Sequence, residues 1–157
     1  MKIKPLKQRD SIACGPTAIK MTIDYFGVPI SFKEIARISK YKSLDGMSNI
    51  DLVNTLKSLG LETEISVTTS WEKLQSLNTE KNVIIVSWMF KGYIGHFSVV
   101  DKVSKTHIYL AEPTTGKVVK LEKIIFMRLW FDYDDMWFPE KNTDIQMRFM
   151  VVISKKP

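Results

Sequence analysis

The hydrophobic periodicity of this chain changes at Gly60, and the change restricts the possible folds more than any other feature. Before Gly60, apolar residues recur at helical spacing. After it, Leu61, Ile65 and Val67 alternate with polar residues, as in a half-buried strand. Helices first and strands later are typical of the α+β class, in which helices pack against an antiparallel sheet.

Three helices are predicted before Gly60. The first covers residues 17–26 and is apolar on almost every side, so we expect it to be buried. Ser31 with Glu34, and Ser48 with Asp51, have the spacing of capping boxes that begin the second and third helices. The helical half therefore has clear starting points.

Strands dominate the second half, with one short helix predicted at residues 70–77. The expected strands cover residues 61–67, 83–88, 97–103, 107–111, 117–120 and 146–153. Strands 97–103 and 107–111 are separated by a short turn and predict an antiparallel hairpin. We expect one domain over residues 1–157, with amino-terminal helices packed on this sheet.

Composition excludes several classes of protein. The net charge is +6, but the basic residues form no stripe interleaved with exposed aromatics, so we expect no nucleic-acid partner. The single cysteine can form neither an internal disulfide nor a cysteine-rich zinc site, and we expect no metal or cofactor. No apolar run is long enough to insert into a membrane, and no signal peptide is recognisable, which predicts a cytoplasmic location.

The single cysteine, Cys14, is followed by Gly15 and Pro16 at the start of the first helix. Proline is tolerated in a first helical turn, and glycine lets other groups approach the sulfur. A helix amino terminus also favours the thiolate. Cys14 is therefore a candidate nucleophile, although a lone cysteine is often only a small buried hydrophobe.

A nucleophilic thiol needs a base, and the chain has two histidines. His96 is placed at the edge of the strand 97–103, where it can project into a cleft, whereas His107 lies near a turn and is expected to face solvent. If the hairpin forms, Glu112 lies beside His96 and can orient the imidazole. Asp101 is the alternative acceptor, but it lies further along the strand. A surface glutamate at a strand end is the competing interpretation of Glu112.

The ordered motifs resemble those of the bacteriocin-processing peptidases, the cytosolic domains fused to many peptide-exporting ABC transporters. The resemblance consists of Gln8 six positions before Cys14, then residues 45–48, then Gly95 with His96 and Phe97, and finally Glu112 with Pro113. It covers nearly the whole chain in the right order.

This resemblance implies a papain-like fold, with Cys14 as nucleophile, His96 as base, Glu112 as the acid and Gln8 in the oxyanion hole. It implies leader peptides ending in Gly-Gly or Gly-Ala as substrates, processed before or during export, and an ABC exporter as a partner. Such a partner would place the chain at the cytosolic face of the membrane. The family usually has aspartate where this chain has Glu112, and here no membrane spans follow. The chain is either free-standing or an excised transporter domain.

Two alternative functions stay open. A non-cleaving module could recruit leader peptides through the same groove, and a papain-like site could act as an acyltransferase or amidase. An apolar groove would favour the peptidase, whereas a deep closed pocket would favour the transferase. The aromatic stretch at residues 130–138 is interpreted as strand and loop packing over the core, with a rim of the substrate groove as the alternative.

Overall fold

The computed structural model describes residues 2–133 and 138–156 and has the predicted α+β architecture. The first half contains α1 Cys14–Tyr25, α2 Phe32–Ser39, α3 Asn49–Ser58, β1 Glu62–Ser66 and α4 Trp71–Leu77. The second half contains β2 Val83–Phe90, β3 Ile94–Val103, β4 His107–Glu112, β5 Lys117–Glu122, α5 Lys123–Leu129, β6 Phe131–Asp132, a 3₁₀ turn Asn142–Asp144, β7 Gln146–Met147 and β8 Met150–Ser154.

Six strands form one antiparallel sheet in the order β1-β8-β2-β3-β4-β5, and β6 pairs with β7 beside it. Two hydrophobic clusters cover the sheet. The first joins α1, α2 and α3 to residues such as Val99 and Ala111. The second joins α4 and α5 to residues such as Val100 and Leu110, which alternate with the first set along the same strands. Strand β3 is therefore buried on both faces.

The helix starts follow the predicted caps with one difference. Ser48 and Asp51 form a reciprocal capping box, as predicted. The Ser31 hydroxyl accepts from the Glu34 N–H, but the return bond of a capping box is not formed. The Glu34 carboxylate instead pairs with Arg37 at 2.6 Å and 3.0 Å, which draws it away from the cap.

Two elements differ from the predictions. The helix α5 was not predicted, and the predicted strand 146–153 is divided into β7 and β8 at Arg148, whose φ of 48° breaks the extended backbone. None of the helices in residues 2–133 and 138–156 is long and apolar enough to cross a membrane.

The aromatic stretch is only partly core. Trp130 is fully buried, and its indole donates to the Phe149 carbonyl at 2.8 Å, whereas Phe138 is exposed. Asp134, Asp135 and Trp137 lie outside the described residues. The core interpretation therefore applies to Trp130, and Tyr133 contributes to a surface cleft.

Candidate active site

Cys14 is the first residue of α1 and is half-buried. Its thiol therefore lies at the positive end of the helix dipole. A Cβ atom at position 15 would lie 2.7 Å from the Met47 sulfur, so the Met47 side chain would have to move if this residue were not glycine. The loop that carries Met47 can thus close directly against the beginning of α1.

His96 lies beside both of its predicted partners. It is 4% exposed and binds the Glu112 Oε1 through Nε2, and the Cys14 thiol is near enough to raise the pKa of His96. Because Nε2 is occupied by Glu112, Nδ1 is the ring nitrogen left to face the sulfur. The Phe90 ring packs on the imidazole with centroids 4.9 Å apart, which limits its rotation. His96 was predicted at the edge of a strand that begins at residue 97. The strand β3 instead begins at Ile94, and within it His96 pairs with Trp88 of β2.

The Glu112 carboxylate is fully buried and held at both oxygens. Besides the contact with His96, Oε1 accepts from the Thr114 N–H at 3.1 Å, and Oε2 accepts from the Thr115 N–H at 3.0 Å. A buried carboxylate with such partners has a defined orientation. It is not the surface glutamate of the competing interpretation.

The contact between His96 and Glu112 is diagonal across the hairpin, which differs from the predicted side-by-side register. Val99 pairs with Ala111, so the same register would place Ser98 opposite Glu112. His96 lies two residues further along its strand, and diagonal neighbours are about 7–8 Å apart at their backbones. The glutamate side chain spans this offset, and an aspartate on the same backbone would be one methylene shorter.

The two partners keep His96 protonated. Burial alone would lower the pKa of His96, but its hydrogen bonds and charge interactions with Cys14 and Glu112 outweigh it and raise that pKa to about 9. For Glu112, burial raises the pKa, while His96 and the Thr114 and Thr115 amides outweigh it and leave the pKa below its ordinary value. The charged forms of His96 and Glu112 are thus favoured at neutral pH, and an imidazolium can stabilise a neighbouring thiolate.

The alternative residues are engaged elsewhere. Asp101 accepts from the backbone N–H groups of Lys2 and Ile3 at 2.5 Å and 2.6 Å, so its carboxylate fastens the amino-terminal segment. The His107 ring contacts the Thr106 hydroxyl at 2.9 Å, near the turn. Neither residue lines the cleft beside Cys14.

Gln8 is tied to the same region of the fold. Its backbone N–H donates to the Pro113 carbonyl at 2.8 Å, and its side-chain Nε2 donates to the Asp10 carbonyl at 2.6 Å. A Cβ atom at Gly116 would lie 2.8 Å from the Lys7 Cβ, so this glycine allows the Gln8 segment to cross the turn after β4. Nε2 retains a second hydrogen. The oxyanion role of Gln8 stays a prediction.

An open cleft of about 820 Å³ lies over the Cys14–His96 pair. One wall is the loop before α3 and the start of that helix, and the other is the beginning of β3 with β6. The lining residues are Ser11, Ile12, Cys14, Leu44, Asp45, Gly46, Met47, Ser48, Ile50, Asp51, Ile94, Gly95, His96, Phe97, Asp132 and Tyr133. Among the described residues, no group of three or more histidine, cysteine or acidic side chains is arranged to hold a metal ion.

Asp132 belongs to the aromatic stretch 130–138, whose alternative interpretation was a rim of the substrate groove, and it lines the cleft. Its carboxylate accepts from the Ser87 hydroxyl at 2.6 Å and from the Tyr133 N–H at 2.7 Å. A Cβ atom at Gly95 would lie 2.8 Å from the Asp132 Oδ1, so a larger residue immediately before His96 would displace the Asp132 carboxylate. The glycine was visible in the sequence, but its contact with Asp132 was not.

Comparison with known proteins identifies the family of the chain. The profile of the Peptidase C39 family matches residues 2–137. Over 122 residues the chain is 26% identical to the lactococcin-G-processing and transport ATP-binding protein LagD of Lactococcus lactis subsp. lactis. The match covers 74% of this chain but only 16% of that protein.

Solved structures share the fold at low sequence identity. A double glycine motif protease from an AMS/PCAT transporter, in complex with a leader peptide, superposes with a TM-score of 0.75 at 18% identity, covering 99% of this chain and 93% of that one. The peptidase domain of Streptococcus ComA, a bifunctional ABC transporter involved in quorum sensing, gives 0.72 at 19% identity and covers 98% of each chain. The fold is thus papain-like, and the chain belongs to the Peptidase C39 family of cysteine peptidases.

Proposed function

We propose that this chain cleaves leader peptides after a Gly-Gly or Gly-Ala pair, and that Cys14 is the nucleophile. The observation that carries the proposal is the placement of Cys14 and His96 in one open cleft, with the buried Glu112 carboxylate bound to the His96 ring behind it. The similarity to a protease named for the double glycine motif supports the substrate class.

The contacts define a role for each residue in acyl transfer. The Cys14 thiolate attacks the carbonyl carbon of the second residue of the small pair. The Gln8 amide and the Cys14 backbone N–H then donate to the resulting oxyanion. Protonated His96 then gives its proton to the leaving amine as the C–N bond breaks. A water molecule, deprotonated by His96, attacks the thioester, releases the leader and regenerates the thiol.

We infer the preference for small residues before the cut from two side chains at the reactive pair. Met47 lies against Gly15 beside the nucleophile, and Asp132 lies against Gly95 beside the base. We expect a substrate backbone that passes between these side chains to be accepted more readily with glycine or alanine than with a large side chain. Further out, Leu44, Ile50 and Ile94 are exposed and offer apolar contacts to the preceding leader segment.

The partner and location form part of the same proposal. One relative is a processing and transport ATP-binding protein, and another is the peptidase domain of an ABC transporter. We therefore propose that residues 1–157 act as one peptidase domain, on the cytoplasmic side, with the transmembrane and nucleotide-binding parts of an exporter.

The two alternative functions fit the site less well. A recruitment module has no need for a thiol beside a buried, carboxylate-oriented histidine. An acyltransferase for small substrates would be expected to have a closed pocket, whereas this cleft is open and has exposed apolar residues at its margin.

The direct test uses a synthetic leader peptide with a Gly-Gly pair and mass spectrometry of its products. We expect one cut after the second glycine, and loss of that cut when the second glycine is replaced by leucine. A matched peptide with leucine four residues earlier should still be cut. Cleavage at unrelated positions, or equal cleavage of all three peptides, would contradict the proposed specificity.

Glu112 is predicted to orient His96 rather than to transfer a proton. Glu112→Ala should lower kcat/KM by about 10²-fold, within the range typical of general-base positioning. Glu112→Gln should retain more activity, since its amide oxygen can still accept from the ring. Asp101→Asn is the matched control, because Asp101 binds the amino-terminal segment, and it should be close to wild type. The measurement is the steady-state cleavage rate of each variant. Equal rates for Glu112→Ala and Glu112→Gln would contradict the orienting role of Glu112.

The pH profile tests the same contact. Since the pKa of His96 is raised to about 9, the imidazolium persists through neutral pH, and kcat/KM should fall as pH rises through about 9. Removing the Glu112 charge should move this alkaline limb to lower pH in Glu112→Gln. The measurement is kcat/KM from pH 5 to 10. An alkaline limb that does not move in this variant would contradict the assigned cause of the shift.

A further inference from the structure

The loop between Gln8 and Cys14 is held by Asp10 through its backbone and its side chain. The Asp10 carbonyl accepts from the Gln8 Nε2 at 2.6 Å and, over a longer distance of 3.4 Å, from the Ala13 N–H. Its Oδ1 accepts from the Ile12 N–H at 3.1 Å. One residue thus fixes both the Gln8 amide and the peptide that leads into Cys14.

Asp10 is itself fixed by a buried tyrosine. The Tyr41 hydroxyl donates to the Asp10 Oδ2 at 2.8 Å, and Tyr41 is 2% exposed. Its ring packs edge-on against Phe32 with centroids 6.4 Å apart, so the hydroxyl has little freedom. Burial, followed by the hydrogen bond to Asp10, raises the pKa of Tyr41, which keeps the hydroxyl a donor.

The backbone of the same tyrosine supports the opposite wall of the cleft. The Tyr41 carbonyl accepts from the Gly46 N–H at 2.8 Å. The loop around Gly46 carries Met47, which closes against Gly15 in the first turn of α1. Tyr41 therefore joins the loop before the nucleophile to the loop that faces it across the cleft.

We propose that the Tyr41–Asp10 hydrogen bond is a positioning device for the oxyanion donors, setting where the Gln8 amide and the Cys14 N–H lie relative to the Cys14 sulfur. The proposal rests on the proposed function in that Cys14 acyl transfer is the reaction served. The Tyr41–Asp10 hydrogen bond helps to stabilise the tetrahedral oxyanion and leaves the reactivity of the thiolate unchanged.

Two reactions of Cys14 separate these effects. With p-nitrophenyl acetate the thiolate attacks the acetyl carbonyl through an oxyanion, the C–O bond breaks, a thioester forms and p-nitrophenolate leaves. With iodoacetamide the sulfur displaces iodide, and no oxyanion forms. Neither probe needs a leader peptide, so the test is independent of leader recognition.

Tyr41→Phe removes only the hydroxyl and should slow acylation by about tenfold, because a displacement of about 1 Å can cost about 10²-fold and we expect a smaller displacement here. The rate of alkylation should stay within about twofold of wild type. Leader cleavage should show the loss in kcat rather than in KM. Asp10→Asn, which keeps one acceptor oxygen, should be milder than Asp10→Ala.

Tyr25→Phe is the matched control. The Tyr25 hydroxyl also donates to a carbonyl and a carboxylate, both of Glu80, at 2.7 Å and 3.1 Å, but it lies away from the cleft. Tyr25→Phe should leave acylation and alkylation unchanged. Thermal unfolding should show that Tyr41→Phe is folded.

Each remaining outcome is decisive. Acylation within about twofold of wild type in Tyr41→Phe, or equal losses of acylation and alkylation, would overturn the positioning role. A wild-type protein that is acylated but does not cut the leader would overturn the proposed substrate while leaving the positioning test valid. A wild-type protein that is not acylated at Cys14 would overturn both.

Discussion

Cys14→Ala is expected to abolish leader cleavage, with a loss on the order of 10⁴-fold or more, since without the sulfur no acyl-enzyme can form. Cys14→Ser should be nearly as inactive, because His96 is arranged to stabilise a thiolate and a serine hydroxyl stays protonated beside it. The measurement is product formation from a Gly-Gly leader peptide by mass spectrometry.

The control for Cys14→Ala is that the variant stays folded. Cys14 is half-buried and packs at the margin of the first hydrophobic cluster, so its truncation should leave the circular dichroism spectrum and the cooperative unfolding transition intact. Wild-type cleavage rates in a folded Cys14→Ala protein would end the cysteine-peptidase mechanism proposed for this cleft.

His96→Ala should have the second largest effect, a loss of about 10²–10⁴-fold in kcat/KM, as is typical for removal of a general base. His107→Ala is the matched control, because His107 contacts Thr106 near a turn and does not line the cleft. The two variants should therefore differ by orders of magnitude in the same cleavage assay.

Thiol reactivity gives an independent measurement of the same pair. Without the imidazolium, the Cys14 thiolate loses its neighbouring charge, and alkylation by iodoacetamide near pH 7 should slow in His96→Ala but not in His107→Ala. If His107→Ala were the slow variant, the assignment of the base would be wrong.

The order of helices and strands was predictable because the hydrophobic period changes at Gly60. The helix α5 was not, since its seven residues carry an apolar run that periodicity alone does not distinguish from a strand. Ile124 and Ile125 in that run are exposed, and only Phe126 of the helix is buried. Its helical state depends on packing against the second cluster, which is tertiary information.

The contacts among Cys14, His96 and Glu112 could be anticipated because each residue stands at a recognisable place: a helix start and the paired ends of a hairpin. The diagonal register was not predictable, since it depends on the β-bulge between Val100 and Lys102. Tyr41 was missed for a similar reason, and the place of Asp132 at the cleft was predicted only as the alternative interpretation of residues 130–138. Their proximity to the cleft is set by the β6–β7 pairing and by the loop after α2, and no local pattern reports either approach.

The most direct test of the mechanism is covalent trapping with a leader peptide that ends in a Gly-Gly chloromethyl ketone, followed by peptide mapping. We predict one adduct per chain, located on Cys14, formed much more slowly in His96→Ala and much more slowly by a peptide ending in Gly-Leu. An adduct on another residue, or equal trapping by the two peptides, would contradict the proposed mechanism.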